Sequence, residues 1–99
     1  MTLKAFTYNE AQIAERLLAL PGWSYEGRAL QRVYKTGGFP MALMLVNAIG
    51  FLAESADHHP RLLVSWGRVA VTLSTESVGG ITDKDFALAR KIEDLAGGS

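Results

Sequence analysis

Residues 53–73 read AESADHHPRLLVSWGRVAVTL, and this stretch contains the change from helix to strand that decides the fold. The helix that leads into it, about residues 40 to 58, is apolar on nearly all sides, so it is expected to lie across a sheet and to be covered on several faces. Pro60 is expected to end this helix because the residue before a proline is disfavoured in the helical conformation. Apolar residues then alternate on both sides of Gly67, namely Leu62, Val64 and Trp66, then Val69, Val71 and Leu73. This alternation predicts a β-hairpin.

The first half of the chain shows the same order of elements. Asn9 and Gln12 form a capping-box pattern at the start of a helix that is predicted to end at Pro21-Gly22. Its apolar residues share one helical face: Ile13, Leu17 and Leu20. Residues 23–35 alternate apolar and polar positions around Gly27, which predicts a first hairpin. Pro40 then suits the first turn of the apolar helix.

The C-terminal segment has the features of a third helix. Thr82 offers an N-cap oxygen, and Asp83 and Asp85 lie in the first turn, where the helix dipole favours carboxylates. The predicted buried stripe of this helix is Phe86, Ala89 and Ile92. The order α-β-β-α-β-β-α predicts an α+β fold with a four-stranded antiparallel sheet and three helices on one face. A length of 99 residues suits one domain, so residues 1–99 are expected to fold as a single unit.

Composition narrows the classes of function. Ten Lys and Arg residues balance ten Asp and Glu residues, so no basic surface for a nucleic acid is expected. The chain has no cysteine, which excludes disulfides and thiol nucleophiles and favours a cytoplasmic location. The apolar run over residues 41–53 is interrupted by Asn47 and is too short to cross a bilayer, so no membrane partner is expected. An apolar content of 48% is high for so small a chain and predicts a homodimer or homotetramer.

Acidic and imidazole side chains cluster just before Pro60. Glu54 and His58 are four residues apart and are expected to project from one face of the helix, with Asp57 beside Glu54. The break at Pro60 allows His59 to reach the same cleft as His58. A carboxylate such as Glu54 can hold the tautomer of His58, which prepares an imidazole for acid or base catalysis.

Other interpretations of these residues remain open. A histidine at a helix C-terminus is favoured by the last carbonyl groups, so the spacing alone fits a structural role equally well. Metal binding is disfavoured because adjacent histidines lack the usual ligand spacing and no cysteine adds a ligand. Asp85 fits a helix-start carboxylate better than a catalytic group. Four aromatic residues are interpreted as core rather than as a stacking platform: Trp23, Tyr25, Phe39 and Trp66.

A longer set of residues has the spacing of a known family. It comprises Ala53-Glu54, Asp57-His58-His59-Pro60, Trp66, Val69, Val71, Leu73, Ser74-Thr75, Gly80-Ile81-Thr82, Asp85, Leu88-Ala89 and Ile92, with Trp23, Tyr34 and Phe39 upstream. In these residues the chain resembles the pterin-4a-carbinolamine dehydratases. The segment from the carboxylate to His-His-Pro is the specific part of the resemblance.

The resemblance implies a hydro-lyase that converts 4a-hydroxytetrahydropterin (4a-hydroxytetrahydrobiopterin) into quinonoid dihydropterin in tetrahydrobiopterin recycling. Such an enzyme acts on a pterin substrate and needs neither a metal nor an organic cofactor. The resemblance also implies roles for individual residues: His58 and His59 as catalytic acid and base, Glu54 and Asp57 as supporting acids, Pro60 as a wall of the site, and Asp85 as a nearby carboxylate.

One position departs from the family pattern. The family usually places a third histidine directly after the threonine of the fourth strand, and this chain has Ser74-Thr75-Glu76 there. A carboxylate can accept a proton or bind a pterin N–H, but it cannot act as a cationic donor. Two hypotheses follow: a dehydratase in which Glu76 alters rate or substrate preference, or a dehydratase-like pterin-binding or protein-interaction module with reduced or no activity.

Overall fold

A computed structural model of the chain describes residues 6–97. It contains α1 (Glu10–Leu17), β1 (Ser24–Glu26), β2 (Ala29–Lys35), α2 (Phe39–Ala56), β3 (Arg61–Ser65), β4 (Arg68–Leu73), a short 3₁₀ turn (Glu76–Val78) and α3 (Asp83–Ala96). The strands form one antiparallel sheet in the order β1-β2-β4-β3. The predicted α+β fold and the predicted order of its elements are confirmed.

The two inner strands, β2 and β4, supply the buried face of the sheet. Leu30 pairs with Leu73, and Tyr34 pairs with Val69, in the register of these strands. The large buried residues recur at even positions of one strand and at odd positions of the other: Leu30, Tyr34, Val69, Val71 and Leu73. This period of two places all of them on the face that the helices cover.

Helix α1 begins with the predicted capping box. The Asn9 side chain accepts a hydrogen bond from the Gln12 amide at 2.8 Å, and the Gln12 side chain accepts one from the Asn9 amide at 2.9 Å. The helix ends at Leu17, earlier than the predicted stop at Pro21-Gly22. The turns that follow still carry Leu20 into the core.

Helix α2 begins as predicted, with Pro40 in its first turn, but its end differs from the prediction. The last helical residue is Ala56, and Asp57 adopts a left-handed conformation with φ 50° and ψ 43°. The amide of His58 then donates to the Ala53 carbonyl at 3.1 Å, which closes the helix in the manner of a Schellman cap. The helix therefore ends at Asp57, before the conformational restriction of Pro60 takes effect.

The expectation that α2 is covered on several sides is wrong for the single chain. Only Ala42, Ile49 and Ala53 of this helix are buried. Its outward face exposes large apolar side chains, namely Met41, Leu43, Met44 and Phe51. One sheet and one neighbouring helix can cover only one side of α2, and the opposite side faces outward.

The helix is also longer than the apolar run considered in the sequence, at 18 residues. By length and composition alone it is long enough to cross a membrane, a criterion that the core helix of a soluble protein also meets.

The interpretation of four aromatic residues as core holds for only part of the set. Trp23 is buried and Tyr25 is half-buried, in contact with the core. Phe39 is exposed because it lies in the first turn of α2, and Trp66 is 73% exposed because it lies in the turn between β3 and β4. The prediction is therefore wrong for Phe39 and Trp66.

Helix α3 buries the predicted stripe and adds a charged residue to it. Phe86, Ala89 and Ile92 are buried, as predicted, and Glu93 is buried beside them. One oxygen of Glu93 accepts three hydrogen bonds: from the Trp23 indole at 2.9 Å, the Tyr34 hydroxyl at 2.7 Å and the Arg32 guanidinium at 3.2 Å. This cluster joins the C-terminal helix to the first hairpin.

The cluster shifts the pKa values of its two acidic members in opposite directions. Burial raises the pKa of the Glu93 carboxyl, but the hydrogen bonds from Tyr34, Arg32 and Trp23 outweigh this and lower it below its ordinary value. Burial and the hydrogen bond to Glu93 raise the pKa of the Tyr34 hydroxyl. The proton of their shared hydrogen bond therefore stays on Tyr34, and the negative charge stays on Glu93.

We expect Glu93→Gln to lower the free energy of unfolding at neutral pH by about 2 kcal/mol, because the buried hydrogen bonds lose their charged acceptor. The folded pKa of Glu93 lies below its unfolded pKa, so its charge stabilises the fold above the unfolded value. That contribution is lost as pH falls through the folded pKa. The difference between wild type and variant in urea unfolding should thus shrink in acid.

Asp94→Asn is the matched control for this measurement. Asp94 lies next to Glu93 but is exposed, and within residues 6–97 its ion-pair partner is Arg90 at 3.0 Å. Its removal should change the free energy of unfolding by less than about 0.5 kcal/mol. Equal losses in the two variants would contradict the role given to the buried cluster.

Candidate active site

His58 lies at the junction between α2 and β3 and contacts a buried carboxylate of α3. Its Nε2 atom is 2.6 Å from Oδ1 of Asp85. The His58 side chain is 10% exposed and that of Asp85 is 0% exposed. A carboxylate at this distance from an imidazole holds the ring in one orientation and stabilises it when it takes up a proton.

Asp85 is positioned by the start of its own helix and by the end of β4. Its second oxygen, Oδ2, accepts the backbone N–H of Thr82 at 2.9 Å, which completes a capping box at the N-terminus of α3. The same oxygen accepts the hydroxyl of Thr75 at 2.7 Å. The hydroxyls of Thr75 and Thr82 are 2.8 Å apart, and both residues are buried.

The structure pairs the histidines differently from the sequence prediction. Glu54 was expected to contact His58, but its Oε1 lies 2.9 Å from Nε2 of His59, and both of these side chains are exposed. The spacing rule for residues four apart requires a continuous helix. The left-handed conformation of Asp57 breaks the helix between Glu54 and His58, so His58 leaves the predicted face.

Four of the predicted site residues line one cleft of about 300 Å³ that is open to solvent: Asp57, His58, His59 and Glu76. The remaining lining residues are Ser74, Thr75, Ser77 and Lys84. Glu54, Pro60 and Asp85 are not among the lining residues. Asp85 lies behind His58, and Glu54 contacts the outer edge of His59. The role of Pro60 as a wall of the site stays a prediction.

Glu76 lies in the 3₁₀ turn after β4, and its carboxylate forms an ion pair with Arg61 at 3.0 Å. Both side chains are largely exposed. A larger depression of about 660 Å³ lies between α1 and the first hairpin, but neither histidine lines it. Titratable groups suited to proton transfer near neutral pH therefore meet at the smaller cleft.

The arrangement suits proton transfer to and from a bound molecule. Two imidazoles line one cleft, each with its own carboxylate, but in different surroundings: His58 is nearly buried and His59 is 60% exposed. Within residues 6–97, no group of three or more His, Cys, Asp or Glu side chains is arranged to hold a metal ion. The groups that the cleft offers are proton donors, proton acceptors and hydrogen-bonding side chains.

The resemblance placed Asp85 near the site, but sequence reasoning missed its contact with His58 and the Thr75 hydroxyl behind it. The partnership of His58 with Asp85 joins residues 27 positions apart, which local spacing does not indicate. The one available signal was the capping box: Thr82 followed three residues later by Asp85 predicts that the carboxylate turns back toward the helix start. The hydroxyl of Thr75 and the ion pair between Arg61 and Glu76 had no local signal.

Comparison with known proteins places the chain in a family. A family model described as pterin 4 alpha carbinolamine dehydratase matches residues 7–95. A relative from Chloroflexus aurantiacus, named "Putative pterin-4-alpha-carbinolamine dehydratase", is 43% identical over 90% of this chain and 96% of its own. A protein of the same name from Streptomyces avermitilis is 44% identical over 91% of this chain and 90% of its own.

Two solved structures share the fold. The crystal structure of a transcriptional coactivator/pterin dehydratase from Brucella melitensis superposes with a TM-score of 0.87 at 35% identity, covering 93% of this chain and all of that one. A pterin dehydratase-like protein described as a RuBisCO assembly factor in the alpha-carboxysome superposes with a TM-score of 0.66 over 79% of this chain and 93% of that one. At 22% identity, the second likeness concerns the fold alone.

Proposed function

Because the chain belongs to the pterin 4 alpha carbinolamine dehydratase family, we propose that it removes water from a 4a-hydroxytetrahydropterin to give the quinonoid dihydropterin. The observation that carries the proposal is the cleft in which two imidazoles, each next to a carboxylate, lie together. The physiological setting that goes with this activity is tetrahydrobiopterin recycling in the cytoplasm, within a single domain of residues 1–99. The absence of cysteine from the sequence supports a reducing compartment.

The reaction requires two proton transfers. The C4a–O bond breaks as the hydroxyl takes up a proton and leaves as water, and the N5–H proton is lost as the N5=C4a double bond forms. We assign the acceptor role to His58, because the buried Asp85 carboxylate stabilises the imidazolium that forms. His59 is the donor to the leaving hydroxyl: it is exposed in the same cleft and next to Glu54, so it can recover a proton from solvent.

Glu76 is proposed to bind the substrate rather than to donate a proton. A pterin presents N–H donors along one ring edge, and a carboxylate accepts such donors well. Glu76 lines the cleft with both histidines and has an exposed ion-pair partner in Arg61. An exposed ion pair costs little to rearrange, so Glu76 is free to accept a substrate N–H.

A second function is favoured by the outward face of α2. Its exposed side chains, Met41, Leu43, Met44 and Phe51, form an apolar surface of the kind that proteins use for association. The solved relatives whose descriptions name a transcriptional coactivator and an assembly factor show that such roles occur with this fold. The alternative is therefore a dehydratase-like module that binds a pterin or a protein with reduced or no activity.

The proposed dehydratase activity can be measured directly. The purified chain is expected to accelerate dehydration of a 4a-hydroxytetrahydropterin, followed by the absorbance of the quinonoid product. His58→Ala and His59→Ala should each lower the rate by about 10² to 10⁴ because each removes one proton-transfer group. Circular dichroism should show an intact fold in both variants.

Asn47→Ala, on an exposed part of α2 away from the cleft, serves as the control and should keep full activity. Wild-type rates in both histidine variants would reject the catalytic assignment. An inactive wild-type chain that still binds pterin would favour the module instead.

The proposed contact of Glu76 with the substrate can be tested by substitution. Glu76→Gln should raise KM by about tenfold, which corresponds to the loss of one charge-assisted hydrogen bond to substrate, and should leave kcat nearly unchanged. Arg61→Gln is the matched control, because it breaks the same ion pair but keeps the carboxylate. It should not raise KM.

Equal KM values for wild type and Glu76→Gln would remove Glu76 from the substrate site. Glu76→His provides the comparison with the family pattern. A large gain in turnover in that variant would identify the natural chain as a weakened enzyme and would favour the interaction module.

We also propose that the chain forms a homodimer or homotetramer through the exposed face of α2. Sedimentation in the micromolar range should give a mass above that of one chain. The double variant Met44→Glu with Phe51→Glu should sediment as a monomer, because it places two charges on this face. Leu18→Glu, at an exposed apolar residue outside α2, should leave the assembly intact. A monomeric wild-type chain across this range would reject the proposal.

A further inference from the structure

The hydroxyl groups behind His58 form a hydrogen-bond chain with a fixed direction. As a carboxylate, Asp85 can only accept, so Thr75 must donate its one hydroxyl proton to Oδ2. The hydroxyl oxygens of Thr75 and Thr82 are 2.8 Å apart. Thr82 must therefore be the donor of the hydrogen bond between them. The protons therefore point from Thr82 to Thr75 and from Thr75 to Asp85.

This direction continues to the imidazole. Oδ1 of Asp85 faces Nε2 of His58 as an acceptor, so Nε2 carries a proton. A neutral imidazole has only one N–H, which leaves Nδ1 with the free lone pair. No side-chain partner of Nδ1 occurs within residues 6–97. Because no buried side-chain nitrogen or oxygen of those residues lacks a partner, Nδ1 is accessible to solvent.

We propose that the chain of Thr82, Thr75 and Asp85 fixes His58 as the Nε2–H tautomer and makes Nδ1 the atom that takes the substrate proton. Thr75 is a positioning residue in this scheme: it acts through Asp85 and holds the carboxylate with one oxygen toward the imidazole. The assignment of Nδ1 as the reacting atom rests on the dehydratase function proposed above. The tautomer itself is a property of the free protein and can be tested without substrate.

Thr75 also has a backbone role that side-chain substitution leaves in place. Its amide donates to the Gly80 carbonyl at 2.9 Å, and its carbonyl accepts from the Val78 amide at 3.2 Å. These bonds close the loop that carries Glu76. Thr75→Val preserves the size of the side chain and both backbone bonds, so it removes only the hydroxyl.

The test is NMR of the full chain labelled with ¹⁵N in its two histidines, together with the dehydration assay. In the wild-type protein, at a pH where the His58 imidazole is neutral, Nε2 should show the ¹⁵N chemical shift of a protonated nitrogen. Nδ1 should show that of an unprotonated nitrogen. In Asp85→Asn, the side-chain oxygen should accept the Thr75 hydroxyl and the Thr82 backbone N–H, as Oδ2 of Asp85 does. The side-chain NH₂ group then faces Nε2 of His58. The tautomer should then invert, and kcat should fall by about 10³ to 10⁴.

Thr75→Val should keep the Nε2–H tautomer, because the Asp85 carboxylate can still only accept from Nε2. It should lower kcat by about 10- to 100-fold with little change in KM, as expected for an outer partner that orients a histidine. Thr75→Ser should restore kcat. Thr72→Val is the matched control: it makes the same change on β4 at a half-buried position outside the cleft, and it should alter neither kcat nor KM.

A wild-type His58 protonated on Nδ1 would overturn the inference, and so would an unchanged kcat in Thr75→Val. If Thr75→Val fails to fold, the wild-type spectrum and Asp85→Asn still decide the matter. An inactive wild-type chain with the Nε2–H tautomer would reject the proposed dehydratase but support the tautomer assignment. The two proposals therefore fail separately.

Discussion

The buried carboxylate of Asp85 is the constraint on which the site depends. A charge removed from water must have its acceptor positions filled, since an unpaired buried charge is strongly destabilising. Asp85 meets this requirement with groups from three parts of the chain: Thr82 at the N-cap of α3, Thr75 after β4, and His58 after α2. Satisfying one carboxylate thus fixes the relative positions of the three segments that border the cleft.

Helix α3 is held at both ends by a buried carboxylate, and the two ends serve different purposes. At its N-terminal end Asp85 contacts an imidazole that borders an open cleft. At its C-terminal end Glu93 accepts from groups of the first hairpin and of the chain just before it: Trp23, Arg32 and Tyr34. Between them, the apolar stripe packs into the core. A helix fixed at both ends provides a rigid support for the proposed proton-transfer groups, and such groups tolerate little displacement.

The sequence was informative where local rules decide the structure and uninformative where tertiary contacts decide it. Alternation predicted both hairpins, and the caps at Asn9 and Thr82 were correct because each depends on a few neighbouring residues. The end of α2 was not predictable in this way: Asp57 takes a left-handed conformation that non-glycine residues adopt uncommonly. An error of two residues at this helix end was enough to assign Glu54 to His58 when its partner is His59. Hydrophobicity likewise predicts that the side chains of α2 avoid water, but not whether the same chain or another one covers them.

The departure from the family pattern at Glu76 lies in the exposed part of the cleft, while the hydrogen-bond chain behind His58 is buried. Changes at exposed positions alter what a cleft binds at small cost in stability, whereas changes in a satisfied buried network affect the fold itself. Glu76 is paired only with exposed Arg61 and contacts neither histidine by a hydrogen bond within the described part of the chain. The groups that hold His58 in place therefore do not depend on whether residue 76 is a histidine or a carboxylate. In a cleft built this way, substrate preference can change separately from the proposed proton-transfer groups, so Glu76 alone does not argue against the proposed dehydration.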